Sequence, residues 1–187
     1  MLLSAFFRHA ILVLGLCLSL AASAGDGVQL PVSLEDSSGR HVRIGTLTMT
    51  PVAGGWSYRL DMNRSHFEER FLSMRPFICL EGPVYSLCHL SYPYPLERRI
   101  TKTDLVDLEY DLLFIQKRTA EYGIDAHKGV YYRLTWNNDR IEGRVYETDL
   151  DKLAVPPEAG VKRPIAAQDL YEADAGRHAW PKIVIGD

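Results

Sequence analysis

The chain has 187 residues and a formal net charge of -3, with 47% hydrophobic and 24% charged side chains. Such proportions belong to an ordinary globular protein and exclude a disordered tail, a collagen-like fibre and a multi-span membrane protein. Basic residues number 21 against 24 acidic ones, without any sustained basic block, so nucleic acid is not an expected partner.

Residues 1–24 carry the three parts of a secretory signal. Arg8 joins the free amino terminus, an apolar run follows over 10–20, and Ala22-Ser23-Ala24 offers small residues for cleavage. The run falls short of the roughly 20 residues that span a bilayer. Leu16 in front of Cys17 argues against a lipoprotein, which needs a small residue there. The expectation is cleavage after Ala24 and a periplasmic or secreted protein with no transmembrane segment left. A single mainly β domain should occupy 25–187.

Beyond the leader, apolar residues alternate with period two between Gly, Asn and Pro punctuation, the pattern of antiparallel strands. Residues 28–34 form the first expected strand and 35–39 a turn. Over 41–50 the apolar parity shifts from Val42 and Ile44 to Leu47 and Met49, which places a bulge at Gly45. After Ala53-Gly54-Gly55, the residues Trp56, Tyr58, Leu60 and Met62 alternate, and pairing Met49 with Tyr58 sets Leu47 against Leu60. Ser65-His66-Phe67-Glu68 matches a helix-capping box, but residues 67–72 can also enter the sheet, and a strand or irregular segment is favoured.

Only Cys79 and Cys88 follow the leader, an even pair in an oxidising compartment. Short β-prone runs flank Glu81-Gly82-Pro83. With the cysteines opposite each other, Leu80 faces Leu87 and Glu81 faces Ser86, so a disulfide stapling a hairpin is expected. A metal site would need ligands beyond the adjacent His89, and a redox pair usually has two intervening residues.

The most unusual segment follows, Cys88-His89-Leu90-Ser91-Tyr92-Pro93-Tyr94-Pro95. Its prolines fix φ and remove donors, so the tyrosines project from a stiff ribbon. Tyr92 and Tyr94, with Arg75 and Arg98 nearby in sequence, form a candidate recognition surface for an anionic or carbohydrate-like ligand or a peptide. The competing assignment has the tyrosines capping one end of the core while the arginines meet an acidic cluster.

That cluster is Asp104, Asp107, Glu109 and Asp111, which lacks the spacing of a calcium loop and reads as a solvated face. A helical turn is expected over 103–107, then a strand through Tyr110 and Phe114. Asp125 and His127 are two ligand-type residues, too few for a metal site. The clearest hairpin sets Tyr132, Leu134 and Trp136 against Ile141, Gly143 and Val145 around Asn137-Asn138-Asp139. An even loop length there turns Arg133, Arg140, Glu142 and Arg144 to water. Beyond Leu153, prolines and glycines mark a segment that wraps the domain, with one helical turn in 165–173 and a final strand at 182–185.

Phe71-Leu72-Ser73-Met74-Arg75-Pro76-Phe77, Cys79-Leu80-Glu81-Gly82-Pro83, Cys88-His89, Tyr92-Pro93-Tyr94 and the string Asp107-Leu108-Glu109-Tyr110-Asp111-Leu112-Leu113-Phe114 carry a resemblance. Over most of its length beyond the leader, the chain resembles uncharacterised secreted proteins of proteobacteria. The resemblance implies a periplasmic setting and lends no activity or catalytic residue. Gly-x-Ser-x-Gly, His-Glu-x-x-His, Walker, dinucleotide-binding and EF-hand motifs are all missing. No catalytic residue, metal or cofactor is therefore assigned.

The expected fold is all-β and mainly antiparallel, a curved sheet or barrel of lipocalin-like character, with a sandwich as the alternative. The expected function is a noncatalytic binding module for a small ligand or an envelope partner. An enzyme of unassigned chemistry and a structural interaction protein of the envelope are the alternatives.

Overall fold

The computed structural model describes residues 27–72 and 75–187; the leader and its cleavage point at Ala24 lie outside the described residues. Among these residues the strands are β1 (Val28–Glu35), β2 (His41–Val52), β3 (Gly55–Met62), β4 (Glu68–Leu72), β5 (Arg75–Leu80) and β6 (Tyr85–His89), then β7 (Arg99–Ile100). A short helix α1 (Val106–Asp111) precedes β8 (Phe114–Arg118), β9 (Gly129–Asn137), β10 (Arg140–Thr148), β11 (Tyr171–Glu172) and β12 (Lys182–Ile185). They build one curved antiparallel sheet in the order β4-β5-β6-β8-β9-β10-β12-β1-β2-β3-β7, with β11 beside β10.

Apolar alternation sets the register. In β9 and β10, Trp136 faces Ile141, Leu134 faces Gly143 and Tyr132 faces Val145. The hairpin turns on Asn138, whose φ of 54° suits a residue tolerant of the left-handed region. Gly143 is glycine for a packing reason. A Cβ there would lie 2.5 Å from Ile183 Cγ2 and 2.6 Å from Leu134 Cδ2, so these two side chains close over bare backbone.

The bulge falls one residue before the expected Gly45. Val32 pairs with Gly45 and Ser33 with Arg43, leaving Ile44 as the extra residue and letting Ile44 and Leu47 both reach the core. Met49 faces Tyr58 and Leu47 faces Leu60. Cys79 stands directly across from Cys88 and forms a disulfide, Leu80 faces Leu87, and Ser86 Oγ donates to Glu81 at 3.1 Å across the loop. Closing so short a loop contributes roughly 2–3 kcal/mol by the chain-entropy estimate.

Two cores result. On one face of the central strands, Leu80, Leu87, Phe114 and Tyr132 join Val32, Ile44 and Ile183. On the other, Cys79, Cys88, Ile115 and Tyr131 pack beneath Leu150, Leu153 and Ile165 of the C-terminal segment, which wraps the sheet as expected.

Two expectations need correction. The sheet does not close into a barrel: β4 and β7 are its ends, with no pairing between them. The chain leaving β3 turns at once into a 3-10 turn, Arg64–His66, capped by Asn63, whose Oδ1 accepts from the Ser65 amide at 3.0 Å. At the other end β7 has two residues, and its pairing with β3 ends beside Arg98, whose φ is 51°. The second correction concerns Tyr110, which lies on α1 and not on a strand. Leu108 and Leu112 face one core while Tyr110 and Leu113 serve the other, so helical spacing satisfies both. β8 meets β9 only at Phe114–Val130 and Ile115–Gly129, and α1 sits beside the rest of β9.

Candidate binding cleft

Helix α1 is polar where a solvated face was expected, yet Asp107 and Glu109 are 2% and 5% exposed. Each has a dedicated partner. The Arg163 guanidinium reaches from the C-terminal segment to Asp107 at 2.7 Å and to Asp104 at 2.8 Å. Glu109 accepts from the Tyr131 hydroxyl and, at 2.6 Å, from the Leu134 amide. Alternate β9 amides point away from β10, and beyond β8 they have no strand to meet. The carboxyl of Glu109 supplies the missing acceptor there. Burial pushes its pKa up, against the hydrogen bonds from Tyr131 and Leu134.

The last acid of the cluster, Asp111, faces a different place. Between the two ends of the sheet lies a cleft of about 780 Å³. β3 lines it with Arg59, Leu60 and Met62; β5 with Pro76, Phe77 and Ile78; β6 with His89. Arg64, Glu69, Tyr92, Arg98 and Asp111 stand around these. Asp111 is the hub: its Oδ2 accepts from the Tyr58 hydroxyl at 2.9 Å and from Arg98 Nε at 3.2 Å, while its carbonyl lies 3.0 Å from His89 Nε2. A carbonyl only accepts, so Nε2 carries the proton and Nδ1 of the neutral ring keeps its lone pair. Burial, the largest influence on this ring, lowers its pKa and favours that neutral form.

Arg98 is held in the left-handed region by what surrounds it. Its carbonyl accepts from the Tyr58 amide at 2.9 Å and its side chain is tethered to Asp111. A long side chain at positive φ stores of order 1 kcal/mol, which persists only where neighbours fix it.

The structure brings two of the four sequence-predicted recognition residues to the cleft. Tyr92 and Arg98 line it. Tyr94 does not, and instead meets Tyr92 edge to face at 5.5 Å. The side chain of Arg75 lies outside the described residues. Tyr92 also packs on Tyr110 at 4.8 Å, and its hydroxyl donates to the Lys162 carbonyl at 2.9 Å, so it caps the second core while reaching the cleft.

Sequence reasoning passed over Arg59, Arg64 and His89 as cleft residues. A signal existed for His89, because it alternates with Cys88 along β6 and must face away from the disulfide. None existed for Arg163, which is 56 residues from Asp107.

A separate cluster forms where His127 meets Asp149 and Asp151, their ligand-type atoms within 4.8 Å of one another. The fold thus adds carboxylates that the Asp125-His127 pair lacked in sequence. Nδ1 faces Asp149 at 3.1 Å and Nε2 faces Asp151 at 3.5 Å. Each ring nitrogen addresses its own carboxylate, which is the geometry of a doubly paired imidazolium. The hydrogen bond to Asp149, then both carboxylate charges, raise the His127 pKa.

Comparison of the chain with protein-family models, curated proteins and solved structures found no match.

Proposed function

We propose that this chain is a noncatalytic binding module that takes a small ligand into the cleft between the two ends of its sheet. One observation carries the reading: a cleft of about 780 Å³ lined both by apolar side chains, Leu60, Met62 and Ile78, and by polar ones, His89, Arg98 and Asp111. Small-molecule sites commonly measure about 300–1,000 Å³ and combine those two features. Strands β3, β5 and β6 supply half of its lining, and the connection from β6 to β7 adds Leu90, Ser91, Tyr92 and Arg98.

We place the module in the periplasm or outside the cell, on the secretory pattern of residues 1–24 and the Cys79–Cys88 pair. Among the described residues no helix is long and apolar enough to cross a membrane.

The test is a fragment screen by amide NMR on the disulfide-bonded exported protein. Shifts should gather on Leu60, Ile78 and Leu90, and Ile78→Trp, which fills the cleft, should abolish them while leaving the rest of the spectrum in place. Shifts scattered over the surface, or unaffected by Ile78→Trp, would overturn the reading.

A further inference from the structure

We infer that the ligand of the cleft is a small amphiphilic anion, a single apolar body ending in a carboxylate, sulfonate or phosphate. This rests on the cleft being the binding site and adds the chemistry of its occupant.

The reason is an imbalance between donors and acceptors. Three guanidinia line the cleft, Arg59, Arg64 and Arg98, and each presents five N–H donors in a planar fork. Arg98 directs Nε and, at 3.5 Å, Nη2 to Asp111. Arg64 approaches Glu69 only to 3.8 Å, an ion pair beyond hydrogen-bond reach. Arg59 pairs with Asp61 at 3.1 Å and keeps further donors. Acceptors on the lining are few. The Asp111 carboxylate is already taken by Tyr58 and Arg98, and Glu69 stands at the exposed rim. Nδ1 of His89 is the remaining side-chain acceptor of the inner wall, without a hydrogen-bond partner among the described residues.

An occupant that brings charged oxygens takes up the donors left over, since each guanidinium has a single carboxylate, Asp61, Glu69 or Asp111, and directs at most two of its N–H groups to it. A purely ionic ligand does not fit. Leu60, Met62 and Ile78 give the cleft apolar surface, which an inorganic ion would leave wet. An apolar body against that surface with its anionic end at the arginines satisfies both halves. The fixed position of Arg98 supports the same assignment. Its backbone is locked at positive φ by Tyr58 and its guanidinium by Asp111, so the remaining N–H groups are aimed before any ligand arrives.

The experiment compares four probes of one chain length on the disulfide-bonded exported protein: decanoate, decyl phosphate, decanol and decyltrimethylammonium, each below its micellar concentration. Calorimetry gives affinity, and amide shifts at Leu60, Ile78 and Leu90 report location. Both anions should bind about tenfold or more tightly than decanol, as expected for charged hydrogen bonds, and the cation most weakly. Arg64→Gln should reduce that advantage without disturbing the fold, because among the described residues the Arg64 side chain makes only its long ion pair. Arg98→Gln should reduce it further, with the unfolding midpoint recorded in parallel because Asp111 loses a partner. Equal binding of anion, alcohol and cation would overturn this inference and leave the cleft as a binding site. Failure of all four to shift the cleft amides would overturn the anion assignment and, with an empty fragment screen, the binding reading as well.

Discussion

The β9–β10 hairpin and helix α1 lie side by side, yet they are held by opposite means. In the hairpin, Tyr132, Leu134, Ile141 and Val145 are buried in one row and the exposed arginines Arg133, Arg140 and Arg144 point away. Most of this row needs no specific partner, since apolar contact is non-directional and period two alone sorts the faces; the Tyr132 hydroxyl, which donates to the Trp180 carbonyl at 2.8 Å, is an exception. Helix α1 has six residues and buries two carboxyls, Asp107 and Glu109. So short a helix has little intrinsic stability. It stands because Arg163, Tyr131 and the Leu134 amide meet those carboxyls at fixed points. One region tolerates changes that preserve pattern and volume; the other depends on individual atoms.

The sharpest way to break that contrast is to remove Arg163. Asp107 would be left nearly inaccessible with its charge unpaired, and breaking one side of a buried ion pair costs about 3–5 kcal/mol. Arg163 is one-third exposed, and water can reach part of the vacated site, so Arg163→Ala should destabilise by about 3 kcal/mol in urea unfolding. Loosening should centre on α1 and on the C-terminal segment, where hydrogen exchange would rise first. A loss below about 1 kcal/mol would mean that Asp107 finds solvent or another partner.

The same contrast explains how much could be read from sequence. The registers of β2 with β3, of β5 with β6 and of β9 with β10 follow from alternation and turn residues over a few positions, and the bulge beside Gly45 follows from a parity shift. The burial of Asp107 was illegible because its partner arrives from 56 residues away. Glu109 was equally opaque, since its task is set by where β8 stops alongside β9. Openness of the sheet was hidden as well: alternation describes each strand and says nothing about whether the last meets the first. Half of the recognition surface converged on the cleft because Tyr92 and Arg98 lie close together in the chain, whereas Arg59 on β3 and Arg64 in the turn after it come from an earlier stretch of sequence.

A smaller effect probes a position of the hairpin that is not interchangeable. Alanine normally suits a strand better than glycine, so a pattern-only region should gain from Gly143→Ala. The space above Gly143 is occupied, with Ile183 Cγ2 and Leu134 Cδ2 both inside contact distance of any added Cβ. Gly143→Ala should therefore lose about 1–2 kcal/mol through overpacking. Pairing it with Leu134→Val, which removes the Cδ2 methyl that the added Cβ meets, should return part of the loss. If the single variant were as stable as the parent, packing there would be looser than these contacts require.

The smallest expected effect is also the most specific, because it reads the charge of one carboxyl. Burial raises the pKa of Glu109 in the folded chain above the ordinary value near 4.5 that it regains on unfolding. Between those two values the folded state binds the extra proton, so stability is full below about pH 4.5 and declines as pH rises through the folded pKa. Glu109→Gln copies the neutral acid: its amide oxygen can accept from the Leu134 amide, and its NH2 can donate to the Tyr131 hydroxyl oxygen. The variant should match the parent at pH 4, gain on it as pH rises through the folded pKa of Glu109 and then keep a constant lead, since it has no proton to lose at this position. Urea midpoints measured for both proteins from pH 4 to 8 give the difference directly, and other titrating groups largely cancel in the subtraction. Two curves that stay parallel across that range would show that Glu109 titrates alike in both states, and that its hydrogen bonds from Tyr131 and Leu134 fully offset the cost of burying its charge.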